Sequence, residues 1–470
     1  MKTLRNIEKE INPDDPFEDC ELEREKYADN LTRIIENYPS GFVMALNNRW
    51  GDGKTFFVNR WRQKLKNEGF QVVYYNAWED DYSENALVSI IGEITEDIET
   101  PNKKLLEKLI EKGTGLFVRS LPIFFKAFAK KIAGKEGYED FAELIGDELG
   151  KPFQNLIDDY KKQKNTVKEF RNALQNFAFE TGNDKPIVIF IDELDRCKPS
   201  YAVEVLEIIK HLFSVDNIVF VLSVDKEQLA NSIRGYYGSD HIDGNEYLKR
   251  FIDLEFSLPN PKLKSFITFN YNKLEFEKAL KGDRMNFPDL KNDNEYFLAF
   301  TSLFFEEKNL NLRQINRIMT QVRVVMYSFK NNEFMLPSLL LLLVYLKVED
   351  SEEYQKIKKK ELNYSELLSL NSKLTTIKLN LDNGKLPYVI NINEWYLYSL
   401  YANYIGDRLY DEGIKIGKEE FTEKFRDQSF DSGRLYELLT FSIERNRFSS
   451  LSLEFLLNKI ELSETLKFNI

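Results

Sequence analysis

Apolar residues along this chain follow two rhythms. Short unbroken runs stand at 42–46, 72–75 and 187–191, and another lies within 217–225. Runs of that length, bounded by polar residues, predict strands of a parallel sheet buried on both faces. Elsewhere apolar residues recur at helical spacing, as in Phe56, Phe57, Val58, Trp61 and Leu65 directly after the first run. Helices are expected at 200–213 and through much of 260–300. A short helix ending at Lys249 and Arg250 precedes an alternating strand and Pro259. Leu312, Ile315, Ile318, Met319 and Val322 form one apolar stripe, and 336–346 (LPSLLLLLVYL) reads as a buried helix. Alternation around Asn383-Gly384 predicts a hairpin at 375–392, and Tyr-, Leu- and Phe-rich helices fill 394–470. No internal repeat or catalytic constellation stands out in 349–470.

Composition narrows the function classes. The chain has 470 residues, enough for about two to four domains. Its 43% hydrophobic and 30% charged content supports a sizeable core. A formal net charge of −12 disfavours general nucleic-acid binding. Two cysteines, Cys20 and Cys197, exclude a disulfide framework, and with only two histidines zinc fingers and His-rich metal centres are nearly ruled out. The charged N-terminus lacks the apolar core of an export signal, and no run reaches the ~18–20 apolar residues of a spanning helix. A cytoplasmic location is expected. Residues 115–133 are basic and amphipathic, with Arg119, Lys126, Lys130 and Lys131 and no acid. That segment suits either a helix packed on its own domain or a peripheral contact with an anionic membrane at its inner face.

The chemistry is concentrated after the first apolar run. Asn48, Arg49, Trp50, Gly51, Asp52, Gly53, Lys54, Thr55 and Phe56 stand between a strand and a helix. That is the order a phosphate-binding P-loop needs. Gly51 and Gly53 let the backbone turn its N–H groups inward, and the helix N-terminus adds partial positive charge. Lys54 is expected on the β- and γ-phosphates, and the Thr55 hydroxyl on Mg²⁺. The first glycine of the usual G-x-x-x-x-G-K-[ST] is replaced by Asn48. Asn is the residue next most tolerant of a left-handed backbone, so the loop is expected to keep its shape that way.

The run at 187–191 ends in Asp192 and Glu193. A buried strand that delivers two carboxylates at its C-terminal end complements the loop, because ligands of open α/β sheets bind there. Asp192 is expected to hold Mg²⁺ and Glu193 to orient and deprotonate the attacking water. The Asn-Lys-x-Asp pattern of guanine-specific proteins is absent, so ATP is the expected nucleotide.

With these residues in place, the chain resembles the KAP family of P-loop NTPases over most of 12–345. Trp50-Gly-Asp-Gly-Lys-Thr55, Asn76-Ala-Trp78, Ile191-Asp-Glu-Leu-Asp-Arg196 and the segment from Asp19 to Leu31 carry the likeness, in the family's order. The resemblance implies an α/β fold of the additional-strand class (ASCE, AAA+/STAND-like). It has a parallel sheet, a helical lid and a mostly helical C-terminal region. The expected layout is a lead-in helix in 1–40, a nucleotide domain at 41–260, a lid at 261–348 and an accessory region at 349–470. The nucleotide domain carries an insertion at about 100–165. Many relatives place membrane helices in that insertion; this chain has no spanning run there.

The resemblance also implies roles at a distance. In related ATPases the strand beside the acidic one ends in a polar residue that senses the γ-phosphate; Ser223 and Asp225 both occupy such a place. Arg250 corresponds to an arginine that reaches a neighbouring subunit's nucleotide. Arg313, near the start of its helix and four residues before Arg317, corresponds to a lid sensor. Arg196 is another candidate, or else a partner of Asp195 or Glu193. The implied function is an ATP-hydrolysing switch, in a bacterial setting such as phage exclusion or defence, with self-association or a protein partner. Two rivals are an ATP-gated scaffold with little hydrolysis and a nucleic-acid-stimulated ATPase.

Overall fold

The computed structural model describes residues 11–119 and 153–362, apart from single residues and short runs. It also describes 417–424, 452–465 and isolated positions between them and 362. The chain divides into two compact units, Glu8–Pro259 and Asn260–Ile470, the latter joined by Met1–Ile7.

The first unit begins with α1 (Glu25–Asn37), β1 (Phe42–Asn47), α2 (Lys54–Asn67) and β2 (Val72–Asn76). It continues with α3 (Ala86–Asp97), α4 (Lys103–Arg119), α5 (Phe153–Thr181) and β3 (Ile187–Asp192). α6 (Pro199–Leu212), β4 (Ile218–Val224), α7 (Lys226–Tyr237), α8 (Gly244–Leu248) and β5 (Leu254–Phe256) complete it. The five strands are parallel in the order β2-β3-β4-β1-β5. β4 therefore separates the loop-bearing strand β1 from the acidic strand β3. This arrangement is the additional-strand α/β fold.

Strand periodicity explains the layers. Successive side chains point to opposite faces. Val73, Tyr75, Ile189, Ile191, Phe220 and Leu222 enter one core with α3, α6 and α7. Met44, Leu46, Val188, Phe190, Val219 and Val221 enter the other, with α1 and α2. Every residue of β3 and β4 is buried, which is why both read as unbroken apolar runs. Register brings Asn76, Asp192 and Ser223 level across neighbouring strands, and Asn47 pairs with Val224 one step further. Polar residues thus collect at one edge of an otherwise apolar sheet.

The stretch expected as an insertion, about 100–165, contains α4 and the start of α5, and Phe170, Leu174 and Phe177 further along α5 are buried in the first unit's core. Most of the basic segment 115–133, beyond Arg119, lies outside the described residues. No described helix is long and apolar enough to cross a membrane.

The second unit holds α9 (Leu263–Lys273), α10 (Phe276–Leu280), α11 (Asp293–Glu307) and α12 (Leu312–Met326). α13 (Pro337–Glu349), α14 (Ser351–Lys358), α15 (Lys418–Lys424) and α16 (Leu453–Thr465) follow. One apolar core runs from Ile267 to Ile460. α13 is buried on nearly all sides, consistent with its uniformly apolar sequence. Asn311 and Gln314 form a capping box that starts α12. The hairpin expected at 375–392 lies outside the described residues.

One buried carboxyl in the first unit stands apart from the edge cluster. Glu207 of α6 is 4% exposed and accepts a hydrogen bond from the Tyr247 hydroxyl at 3.3 Å. Burial pushes its pKa up to about 7, Tyr247 opposes the shift, and Glu204 adds to it. An unfolded Glu titrates near ~4.3, so the folded state favours the protonated form. The resulting stabilisation is complete below ~4.3 and is lost as pH rises through about 7. Urea unfolding across this window should show the parent losing stability relative to Glu207→Gln, by up to about 1.4 kcal/mol per pH unit. Parallel pH profiles for the two proteins would refute the assignment.

Candidate functional site

The loop between β1 and α2 owes its shape to two glycines and one asparagine. Gly51 (φ 90°) and Gly53 (φ 80°) take left-handed conformations that side chains resist. Asn48 does not, contrary to the expectation from its tolerance of that region. Its amide instead clamps the backbone beyond β5. Nδ2 donates to the Leu258 carbonyl at 2.9 Å, and Oδ1 accepts from the Leu258 N–H at 2.8 Å. A glycine could not make that pair. Asn47 performs a similar task next door, accepting from the Lys226 N–H at 3.0 Å and donating to Glu255 at 2.8 Å.

Lys54 opens α2 and is only 9% exposed. Its ammonium donates to the carbonyls of Asn48 and, at 3.3 Å, Arg49. Burial lowers its pKa, while the carboxylates of Asp195, Asp225, Asp192 and Asp52 pull it back up. The ammonium is thus within electrostatic reach of the acidic edge. Thr55 sits in the first turn of α2, half-buried.

Asp192 ends β3 at 1% exposure. Its Oδ1 accepts the Glu193 N–H at 2.9 Å, and Oδ2 accepts from the Tyr74 hydroxyl at 3.4 Å. The Arg62 guanidinium stacks 3.8 Å from the centre of the Tyr74 ring. Burial and the Asp192 carboxylate raise the Tyr74 pKa, keeping its hydroxyl a donor. Glu193 adopts a left-handed backbone (φ 61°), unusual for its side chain. Its carboxylate pairs with Arg196 at 2.7 Å, beside the Asn76 amide. Burial raises the Glu193 pKa, Arg196 lowers it, and Asp192 and Asp195 add to the rise. Arg196 also lies 5.4 Å from the centre of the Trp78 ring.

The loop is joined directly to the turn that follows the acidic strand. Trp50 Nε1 donates to Asp195 Oδ2, and Asp195 also takes a backbone hydrogen bond from Asp225. Ser223, fully buried and level with Asp192, has no hydrogen-bond partner for its hydroxyl among the described residues. Asp225 is instead occupied in capping α7 through the N–H groups of Glu227 and Gln228. Of the two polar residues ending β4, Ser223 is the one with an unused donor.

The structure brings Asn48, Trp50, Gly51, Asp52, Gly53, Lys54, Thr55, Asp192, Glu193 and Ser223 to one edge of the sheet. Arg49 is exposed on the loop, and Phe56 lies under the Arg60 guanidinium. Arg250 does not join them. It follows α8 and precedes β5, at the sheet's opposite edge, exposed. A strand of β1's length, about 20 Å, separates the two edges. Arg313 is exposed at the start of α12 in the second unit. Three contributors escaped the sequence reading: Arg24, which grips the loop from behind, Asp195 as the partner of Trp50, and Tyr74 as a donor to Asp192. Trp50, Asp195 and Arg24 stand inside motifs that carry the family likeness, and Tyr74 inside an apolar run, but none of these positions signalled its partner.

A family model described as the KAP family P-loop domain matches residues 24–329. The phage T7 exclusion protein of Escherichia coli (strain K12) is 24% identical over 291 residues. That alignment covers 56% of this chain but only 37% of that protein, so the chain spans little more than a third of its relative. The Aeropyrum pernix ORC2 protein, in ADPNP-ADP complexes, aligns over 95% of this chain and 94% of its own at 14% identity and a TM-score of 0.35. A DNA replication initiation factor aligns over 96% and 98% at 14% identity and a TM-score of 0.30. Likenesses at those scores carry no argument.

Asn48 supplies a direct check on the loop's anchoring. Asn48→Ala strands a partly buried N–H and C=O of Leu258 and should cost about 1–3 kcal/mol in urea unfolding. Stability within about 0.5 kcal/mol of the parent, the range of an ordinary surface change, would show the clamp to be dispensable.

Proposed function

This chain belongs to the KAP family of P-loop NTPases, and on that premise we propose that it binds ATP with Mg²⁺ and hydrolyses it as a nucleotide-driven switch. The observation that carries the reading is the Trp50–Asp195 hydrogen bond. It ties the glycine loop to the turn that follows the acidic strand, with the Lys54 ammonium within electrostatic reach of the Asp192 carboxylate.

Each residue then has a task. The N–H groups of the loop and of the first turn of α2 bind phosphate oxygens. Lys54 exchanges its carbonyl partners for the β- and γ-phosphates. The Thr55 hydroxyl and the Asp192 carboxylate are hard oxygen donors of the kind Mg²⁺ takes alongside phosphates. When bound, the ion neutralises phosphate charge. Glu193 accepts the proton of the attacking water once its carboxylate leaves Arg196. Its raised pKa suits a proton acceptor. The Ser223 hydroxyl donates to the γ-phosphate. Arg313 is assigned the sensor role that the family resemblance implies, and hydrolysis ends the bound state of the switch.

Arg250, on the edge remote from its own chain's site, serves the nucleotide of a neighbouring copy. That role requires self-association. A contact with a membrane's inner face through 115–133 rests on that segment's basic, amphipathic composition alone. The phage-exclusion relative suggests a defence setting. The engagement of Glu193 by Arg196 favours a second reading, a nucleotide-gated scaffold with little turnover.

Phosphate release and ATP binding separate these readings. Lys54→Ala should lose ATP binding. Glu193→Gln should keep binding and lose turnover by about 10²–10⁴-fold. Hydrolysis by Glu193→Gln at the parent's rate removes Glu193 as the base, and a parent that binds without turnover establishes the scaffold. Activity per molecule should rise with protein concentration in the parent but not in Arg250→Ala. A flat parent profile contradicts the shared site.

A further inference from the structure

Arg24 lies ahead of the loop in sequence, behind it in space, and is 2% exposed. Its two terminal nitrogens donate to successive carbonyls of the loop: Nη2 to Asp52 at 2.6 Å and Nη1 to Gly53 at 2.8 Å. In a trans peptide the C=O and the following N–H point in opposite directions. Holding the Asp52 carbonyl therefore aims the Gly53 N–H away from the guanidinium. The Gly53 carbonyl, held by Arg24 and also by the Phe57 N–H of α2 at 3.1 Å, leaves the Lys54 N–H aimed the same way. Left-handed Gly53 followed by helical Lys54 is the backbone of an anion-binding nest. We propose that Arg24 is a positioning residue, which sets the direction of the two N–H donors that receive the nucleotide's β-phosphate.

The surroundings fit that task. A Cβ at Gly53 would stand 2.7 Å from Arg24 Nη1, so the guanidinium can approach only a glycine. A planar fork presents two N–H groups at a fixed spacing to neighbouring carbonyls, whereas an ammonium is a compact point charge on a flexible stem. The segment before Arg24 is pinned along α2. Asp19 takes Arg60 in a two-pronged ion pair, the Pro13 carbonyl accepts from Asn67, and Phe17 packs on Phe57. Arg24 itself starts α1, its carbonyl accepting from the Tyr27 and Ala28 N–H groups. The charge also polarises both peptides and strengthens their donors.

The inference rests on the nucleotide reading above, and calorimetric titration of the full chain with Mg²⁺–ADP separates the two. If the parent binds neither ADP nor ATP, the nucleotide reading falls. If it binds, Arg24→Ala should bind ADP about tenfold more weakly or worse. Low-millimolar guanidinium should restore part of that affinity, while giving Lys54→Ala nothing. Arg24→Lys keeps the charge without the fork and should remain weaker than the parent, with thermal unfolding in the absence of nucleotide near the parent's. It carries the test if the alanine variant fails to fold. ADP affinity within twofold of the parent in whichever variant folds would overturn the role of Arg24. A loss that guanidinium does not relieve, in step with lost stability, would overturn it too.

Discussion

A buried ammonium is tolerable only where oxygen atoms surround it. Lys54 meets that condition with two loop carbonyls and four carboxylates within electrostatic reach. The same condition keeps the loop and the acidic edge together. The parallel sheet makes it achievable, because all five strands point their C-terminal ends the same way. Trp50–Asp195 and Asn48–Leu258 then fasten the loop to the chain beyond β3 and beyond β5. Chemistry and architecture share one set of contacts.

The sheet was legible because its strands are buried on both faces. Continuous apolar runs at β1, β3 and β4 leave little choice of period, and their polar ends mark the edge where ligands bind. The family and the additional-strand class followed from motifs whose order the topology repeats. Arg24 stood in the Asp19–Leu31 motif, but its grip on the loop was not legible, since a guanidinium serving two carbonyls leaves no spacing pattern. The pairing of Trp50 with Asp195 was hidden because each belonged to a separate motif. Asn48 was read for its backbone tolerance, whereas its side-chain amide is what the fold uses. Such choices depend on which groups tertiary packing brings close.

Two features at the acidic edge store rather than spend interaction energy. The left-handed backbone at Glu193 costs roughly 1–3 kcal/mol. The buried hydroxyl of Ser223 forgoes a hydrogen bond. Ser223 lies level with Asp192, and Glu193 directly follows it.

The central claim is that Lys54–Thr55 and Asp192–Glu193 enclose one metal-bound triphosphate. A crystal structure of Glu193→Gln with Mg²⁺–ATP tests it most directly. The account predicts phosphates against Lys54 and the loop N–H groups, with the metal between Thr55 and Asp192. Nucleotide bound elsewhere, or phosphates out of reach of either pair, would contradict it.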